Sequence, residues 1–494
     1  LLPERRNEMS KSIIYLLYFA IYTILLLFFG KSGFKKTNNA RDFFVAGNSL
    51  GVSASIFSFC ATWFSAASMQ GVTGTMYAYG ISTILYSIVP WFLGACLLLI
   101  MSRRLREYDI ITLPEFFYLR YESRFLQALA GASVAVIYTL YIVIQIRGFG
   151  IVMSELLDIN YMFAIVLIYL FIIYTTFGGL FSVSSSHRLN FTMVVLGVIL
   201  ASAAVIQSSG GLSSIYEKAL VMNTKPYPQF PYVTKKGGMF DIFAKGQMTP
   251  IVIFTSFFGW GLGLSATPQY AIRIVAAKDD TAAVKMICCS LLILLFLYFG
   301  LGIIGIGGRT LINTIEEIHS VDEVFPYLIN SVVYSPFSGL IFIGIIAACI
   351  SSADSQLLIA SSGFTYDIYK NLINSNIKDE RFLNLNRVFI FIAGTAALVL
   401  AISPPKSLLI YGGYIWGFFS STFLVPLYGG LFWKKATREG AVASFIIGLI
   451  LFSAMMIKGV DGAVHPAFPS FLVSALTFYF VSTYFNIRGG LNEN

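Results

Sequence analysis

The residues of this sequence best placed to do chemistry lie between Gly339 and Lys370, GLIFIGIIAACISSADSQLLIASSGFTYDIYK. The stretch is apolar enough to cross a membrane, yet its middle carries Ser351, Ser352, Asp354, Ser355 and Gln356. An ionisable group facing lipid costs on the order of 2.5–3.5 kcal/mol even on the lenient insertion scale, so these side chains should face a bundle interior or a wet cavity. Adjacent hydroxyls one turn beyond Ala348 suit a hard monovalent cation, which takes several oxygens and no strong ligand field. Small residues such as Ser and Ala equally let two helices pack closely. That alternative has no use for the carboxylate of Asp354.

Composition sets the class. Hydrophobic residues make up 57% of 494 positions and charged residues 12%, and the mean hydropathy is +0.78. A soluble chain could not hide so much apolar surface, so the reading is an all-α, polytopic protein whose partner is the lipid bilayer. A net charge of +9 would suggest nucleic acid in a soluble chain; here loop orientation explains it, and no nucleic-acid partner is expected. Cys60, Cys96, Cys288, Cys289 and Cys349 sit in apolar stretches without metal-ligand spacing and read as reduced packing residues. The only histidines are His187, His319 and His465, and no HExxH, GxSxG or P-loop pattern occurs, which argues against an enzyme. The run from Ile13 to Gly30 lacks a cleavage site and is expected to stay as a first span. With about eight residues after the last span, no appended signalling module is expected.

A span needs roughly 20 apolar residues, and about thirteen such stretches occur, at 12–30, 50–70, 76–101, 125–152, 159–178, 188–208, 247–270, 283–308, 337–366, 387–403, 407–432, 440–458 and 466–486. The loops after odd-numbered spans, with the C-terminal tail, hold 21 Lys and Arg; the other side holds 9, or 11 with Arg5 and Arg6. The excess puts the odd-numbered loops in the cytoplasm, the N-terminus outside and the C-terminus inside a plasma membrane. The connection from Ser208 to Gly246 is then external, as is the acidic stretch Ile315 to Phe325, expected as a short surface helix.

Two spans are interrupted alike. The second contains SFCATWFSAASMQGVTG, Ser58 to Gly74, and the seventh FFGWGLGLSATP, Phe257 to Pro268. Each opens a set of five spans. Paired broken helices at matching positions are a pointer to an inverted-repeat transporter with its site at mid-membrane, because unwound backbone survives there only if it lines a cavity. Ordinary packing of small residues is the alternative for either span taken alone.

These segments resemble the sodium:solute symporters, which include sodium-coupled proline, pantothenate, sialic acid and sugar carriers. The similarity covers nearly the whole chain. It is carried by YTTFGGLFSV (Tyr174 to Val183), FFGWGLGLSATPQYAIR, ACISSADSQLLIASSGFTYDIY and GLFWKKATREGAVAS (Gly430 to Ser444). The resemblance implies a LeuT-like fold: an extra helix at 12–30, inverted five-helix repeats at 50–208 and 247–432, and two further helices at 440–486. It implies sodium-coupled uptake of a small organic solute by alternating access. By alignment, the sodium ligands fall on Ala61, Phe64, Ala348, Ser351 and Ser352, and the solute against Trp63, Ser65, Ser68, Thr83, Ser87 and Trp260. For Trp260, an aromatic that merely fills the bundle is an equal alternative.

One departure bears on ion number. Family members commonly carry an Asp shortly after the GG of span five, which some use with span-nine hydroxyls to hold a second sodium; here SVSSSHRLN places His187 there. An imidazole offers no negative charge to a cation, so one sodium per solute is expected. His187 with Asp354 and Ser355 is a possible second-ion or proton site, the alternative being a His187 in water at the cytoplasmic helix end. Proton coupling on the same fold is thus the alternative to sodium. The proline carriers have an Asp where Trp63 stands, which argues against proline. Arg147, deep in span four, suits a carboxylate or zwitterion, and equally a surface position or a pair with Glu155. The resemblance places the sialic acid carriers' substrate arginine about six residues earlier, near Tyr141.

Overall fold

The computed structural model describes residues 2–34, 36–312, 315–459 and 464–492, with side chains from Lys11 to Arg488 outside these gaps and 32–34. The spans are taken in chain order. They are α1 (Leu2–Phe34), α2 (Val52–Trp63 with Ala67–Tyr79), α3 (Ile84–Arg106), α4 (Arg124–Leu157), α5 (Tyr161–Thr176), α6 (Gly179–Ser209) and α7 (Pro250–Ala276). They continue as α8 (Asp280–Leu311), α9 (Ser338–Ile373), α10 (Asp379–Leu400), α11 (Leu408–Thr422 with Leu424–Phe432), α12 (Arg438–Lys458) and α13 (Ala467–Asn492). Ten of these are each long and apolar enough to cross a bilayer, α2 and α11 qualify as bent pairs, and α5 is a shorter apolar helix. The sequence placed all thirteen.

The most buried helix is α9, 94% enclosed over its apolar window, whereas that of α1 is only 22% enclosed. Its packing explains its glycines. Gly363 meets Gly131 of α4 so closely that a Cβ on either would fall within 2.5 Å of the other's carbonyl oxygen, and Gly344 meets Gly197 of α6 at 3.1–3.2 Å in the same sense. Small residues set this approach because apolar burial gives no preference for helix over lipid, leaving contact distance to decide.

The break in α2 falls at Phe64–Ala66, where the axis turns by 58°. The last helical bond is Phe64 N–H to Cys60 O, and Phe64 is extended at φ −81, ψ 107. Span seven is interrupted too, but more gently: a π-helical turn at Phe257–Leu262, then a gap at Ala266 and Thr267 before Pro268 restarts the helix. A π-helical turn, Ala67–Val72, also follows the break in α2. Such turns widen a helix and recur at functional positions.

Several boundaries differ from the sequence reading: α7 runs to Ala276 rather than 270, α9 to Ile373 rather than 366, and α10 starts at Asp379 rather than 387. The second half of α2 runs to Tyr79, so α3 starts at Ile84 rather than 76; Gly80, at φ 57 and ψ −139, makes the corner that only glycine tolerates. Span six begins at Gly179, because its Ser-rich first turns are buried by protein and need no apolar character. The long connection contains a helix, Leu212–Val221, whose mixed face hid it.

The acidic stretch expected at the surface is so only in its first half, where Glu316, Glu317 and His319 are exposed; its second half is inserted. Its turns Ile315–Glu317 and Val321–Glu323 lead into Val324–Tyr327, Asp322 is fully buried, and a Cβ on Gly74 would lie 1.8 Å from Val321 O. Arg147 reaches it from α4, with Nη2 3.3 Å from Asp322 Oδ2. The same carboxylate oxygen accepts from Leu408 N–H at the start of α11, 3.0 Å away, a favourable place for negative charge. Burial pushes the Asp322 carboxyl up to about 6, with Arg147 pulling the other way.

Because Gly363 and Gly131 meet backbone to backbone, Gly363→Val should overpack the contact by about 1–3 kcal/mol. Thermal unfolding of the purified protein in detergent should show a clear drop in melting temperature, and Gly363→Ala a smaller one. Unchanged melting in both would mean that α9 is not seated by this contact.

Candidate functional site

Ending α2 at Trp63 frees the carbonyls of its last turn, which have no helical N–H ahead of them. Two of them are met by α9. Ser351 Oγ donates to Ala61 O at 2.9 Å and lies 3.3 Å from its own-turn carbonyl, Ala348 O. Ser352 Oγ donates to Phe64 O at 3.3 Å. Three carbonyl and two hydroxyl oxygens thus gather where the break in α2 faces α9, and Ala61, Phe64, Ala348, Ser351 and Ser352 are all fully buried. The donor set is neutral oxygen only. That suits a weakly hydrated monovalent cation, whose arrival would turn the hydroxyl lone pairs inward while the carbonyls keep their aim.

One turn further along α9, Ser355 Oγ gathers a second polar group. It bonds Ser351 O at 3.1 Å and lies 3.0 Å from Thr62 Oγ1 and 3.4 Å from His187 Nε2. His187 is fully buried rather than in water. Its Nε2 is 3.1 Å from Ser351 O and its Nδ1 3.3 Å from Ser58 Oγ. A carbonyl only accepts, so Nε2 carries the proton and Nδ1 accepts from Ser58: the neutral ring satisfies both partners.

Asp354 does not join His187. Thr175 of α5 donates to its Oδ1 at 2.5 Å, and its Oδ2 has no partner among the described residues. The reason is helical geometry: Ser351 and Ser355, four apart, share a face, whereas Asp354 is turned about 100° away.

The residue closing this group was missed from the sequence. Arg273, near the end of α7, is 1% exposed; its Nη2 donates to Ser355 Oγ at 2.8 Å and its Nε to Thr62 Oγ1 at 3.2 Å. Its place in QYAIR, three residues before the end of α7, disguised it as a boundary charge.

Deeper toward the end that carries the 210–249 connection, the bundle centre is aromatic. Trp63 Nε1 donates to Tyr298 OH of α8 at 2.9 Å, and Ser68 Oγ is 3.1 Å from the same oxygen. Trp63 also lies 5.4 Å from the Tyr270 ring. Trp260 packs edge-on against Trp91 of α3 at 5.0 Å and Trp416 of α11 at 5.2 Å, and Trp91 lies 5.4 Å from Tyr298. Four of the five tryptophans therefore gather in one buried aromatic cluster. That rarity was the available signal for Trp91 and Trp416. The indole N–H groups of Trp260 and Trp416 face the hydroxyls of Tyr86 and Tyr141, whereas that of Trp91 finds no acceptor among the described residues.

The remaining solute residues divide. Ser65 is buried at the break itself. Ser87 donates within its own helix to Thr83 O at 3.1 Å. Thr83 caps the start of α3, beside Ile81 and Ser82, which bond the 210–249 connection through Met239 O and Ile242 O. It stands two turns from Trp91, the α3 residue that does reach the centre. Arg147 is engaged by Asp322 rather than by Glu155. It lines a vestibule of about 650 Å³ with Tyr79, Tyr86, His319, Lys406 and Tyr414.

Comparison with known proteins fits this geometry. The sodium:solute symporter family model matches residues 43–448. The osmoregulated proline transporter OpuE of Bacillus subtilis (strain 168) is 26% identical over 475 residues, spanning 94% of this chain and 93% of that protein. The sodium/pantothenate symporter of Escherichia coli (strain K12) is 26% identical over 446 residues, spanning 89% of each. Among solved structures, a substrate-bound, outward-open sodium-coupled sialic acid symporter superposes with a TM-score of 0.76 at 17% identity, covering 95% of this chain and 98% of that one. Mhp1, a nucleobase-cation-symport-1 family transporter in a closed conformation, gives 0.56 at 11% identity over 89% and 94%. These last two show the shared LeuT-like fold. With the family model spanning most of its length, the chain belongs to the sodium:solute symporter family, carriers that couple sodium entry to the uptake of small organic solutes.

Proposed function

We propose that the chain uses one inward-moving sodium ion to drive uptake of a small organic carboxylate or zwitterion by alternating access. The observation that carries this reading is the meeting of Ser351 Oγ with Ala61 O and of Ser352 Oγ with Phe64 O. Sodium shared among Ala61, Phe64, Ala348, Ser351 and Ser352 ties the first repeat, 50–208, to the second, 247–432. An ion that binds one arrangement of the two repeats better than the other shifts their balance by that difference in affinity, which is all that coupling requires.

The solute is placed against Trp63, Ser65, Ser68, Thr83, Ser87 and Trp260, beside the aromatic cluster of Trp91, Trp416 and Tyr298. The Trp91 indole N–H, without an acceptor among the described residues, supports a ligand that offers acceptor oxygens, as a carboxylate does. Lys406 in the vestibule favours an anion on its way in, Arg147 being paired with Asp322, and the solutes in the relatives' names, proline and pantothenate, carry carboxylates. The orientation has the vestibule and the N-terminus outside, and the C-terminus in the cytoplasm of a cell whose plasma membrane holds the protein. One charge crossing ~100 mV supplies about 2.3 kcal/mol, roughly forty-fold accumulation at about 1.4 kcal/mol per tenfold, before any sodium gradient is added.

Replacing either hydroxyl ligand removes an oxygen from a charged guest, about 1.5–3 kcal/mol. Ser351→Ala and Ser352→Ala should each weaken sodium binding to the purified carrier roughly tenfold or more, read as the sodium concentration giving half-maximal thermal stabilisation. Stabilisation that follows pH and ignores sodium in the unaltered protein would replace sodium by a proton.

A panel of small solutes screened for sodium-dependent thermal stabilisation should yield carboxylates or zwitterions and no neutral sugars. Trp91→Phe keeps the ring packing and removes the donor; it should weaken the best hit about tenfold while leaving the sodium requirement unchanged. Hits confined to solutes without a carboxylate would contradict the substrate class.

A further inference from the structure

His465 belongs to the connection between α12 and α13, yet its ring is seated against the π-helical turn of α7 that carries Trp260. Two glycines make the space. A Cβ on Gly259 would lie 2.5 Å from His465 Cε1, and one on Gly417 of α11 would lie 2.6 Å from the same carbon, so a larger residue at either position has to move the ring. The ring is also fastened. His465 N–H donates to Thr255 Oγ1, one turn before Gly259, at 3.0 Å, and its Nδ1 accepts from Ala467 N–H at 3.2 Å. With Nδ1 accepting, Nε2 carries the proton and faces the carbonyl of Gly413 on α11. Trp260 rests on the same glycine: a Cβ on Gly413 would lie 3.1 Å from Trp260 Cε2, and one on Gly412 3.0 Å from Cη2. The indole is thus set by Gly259, its neighbour in sequence, and by Gly412 and Gly413 across the helix contact, and His465 touches both backbones. A ring that only capped Ala467 N–H at the start of α13 would need no glycine in α7 or α11.

We propose that His465 is a positioning residue for Trp260: entering from outside the two five-helix repeats, it wedges the widened turn of α7 against α11 and fixes where the indole stands. The proposal rests on the reading above that puts the solute against Trp260, and it names a residue beyond that contact which sets its geometry. A π-helical turn is rare because the α-helical turn is the better local arrangement, so a contact from outside the helix has to hold this one. Beside the ring lies a cavity of about 40 Å³ lined by Tyr86, Val252, Thr255, Ser256, Tyr414 and Val464. Tyr86, Val252 and Tyr414 are also walls of the vestibule. The ring therefore has room to tilt that way when it is pushed, without unfolding the bundle.

The test is fluorine NMR of the purified full chain in detergent, with 5-fluorotryptophan at Trp63, Trp91, Trp260, Trp416 and Trp433, the Trp260 resonance being assigned by its loss in Trp260→Phe. His465→Ala removes the wedge and should shift or broaden the Trp260 resonance by more than its own width, while those of Trp63 and Trp433 stay in place. His465→Asn keeps an acceptor for Ala467 N–H but is too short to fill both notches, so it should behave as His465→Ala does. Gly417→Ala pushes on the ring from α11 and should move the Trp260 resonance with His465 present; added to His465→Ala, where there is no ring to push, it should contribute less than half of that shift. An unmoved Trp260 resonance in His465→Ala would overturn the proposal. So would an unaltered spectrum in His465→Asn, which would leave the imidazole as a cap for α13 and nothing more, or displacement of Trp63 and Trp433 along with Trp260, the mark of general loosening. If His465→Ala does not fold, Gly417→Ala decides by itself, and a Trp260 resonance at its original place overturns the proposal. None of these readings needs the solute, so their failure leaves the substrate class untouched. Solutes that bind equally well to Trp260→Phe would instead overturn the reading on which the proposal rests, without moving these resonances.

Discussion

The structure depends on one mismatch between neighbouring helices: α2 stops at Trp63 with its last carbonyls unpaired, and α9 brings hydroxyls to meet them. In a membrane interior such carbonyls cannot be left bare, since no water is there to bond them. Ser351 and Ser352 satisfy them with contacts that a cation can replace without moving the backbone. A fully helical α2 would be more stable alone and would have nothing to offer an ion. The break is therefore a local weakness stabilised by its neighbour, and it makes the fit between the two helices responsive to what lies between them.

Around that contact, glycines set backbone-distance packing for all three helices, in α2 at Gly74 against Val321 O and in α7 at Gly263 against Trp416 O as well as in α9. Glycine pairs seat α9 against α4 and α6 at backbone distance, whereas α2 is held at its break by hydrogen bonds: Ala66 N–H to Gln145 Oε1, Trp63 to Tyr298, Thr62 to Arg273. Hydrogen bonds can be exchanged one at a time; a backbone contact with no room for a Cβ cannot slide. On the vestibule side, the inserted segment around Asp322 closes over the second half of α2 at Gly74 and is fastened by Arg147.

Much of this was legible in the sequence because a membrane chain advertises its spans through hydropathy and its site through whatever breaks that hydropathy. Ser351, Ser352 and the Ser58–Gly74 segment stood out for that reason, and the structure brings Ser351 to Ala61. What was not legible depends on residues that look ordinary in line. Tyr298 and Trp91 are aromatic residues in apolar helices, and only the fold shows them meeting Trp63 and Trp260. Arg273 read as a loop-end charge because burial is a tertiary property. Thr83 came from alignment with the family, and the structure sets it at the cap of α3, two turns before Trp91. The Ile315–Phe325 stretch looked like surface because its acidic residues suggest water, yet Asp322 is paid for by Arg147 and a helix N-terminus.

The central claim is that the oxygens of Ala61, Phe64, Ala348, Ser351 and Ser352 hold the coupling ion. Its most direct test is a pair of high-resolution experimental maps of the same protein, one in sodium and one in choline. The account predicts a density peak surrounded by those five oxygens in sodium and absent in choline, with α2 shifted relative to α9 between the two. A sodium-dependent peak elsewhere, or an identical arrangement of α2 and α9 with no peak between them in either salt, would contradict it.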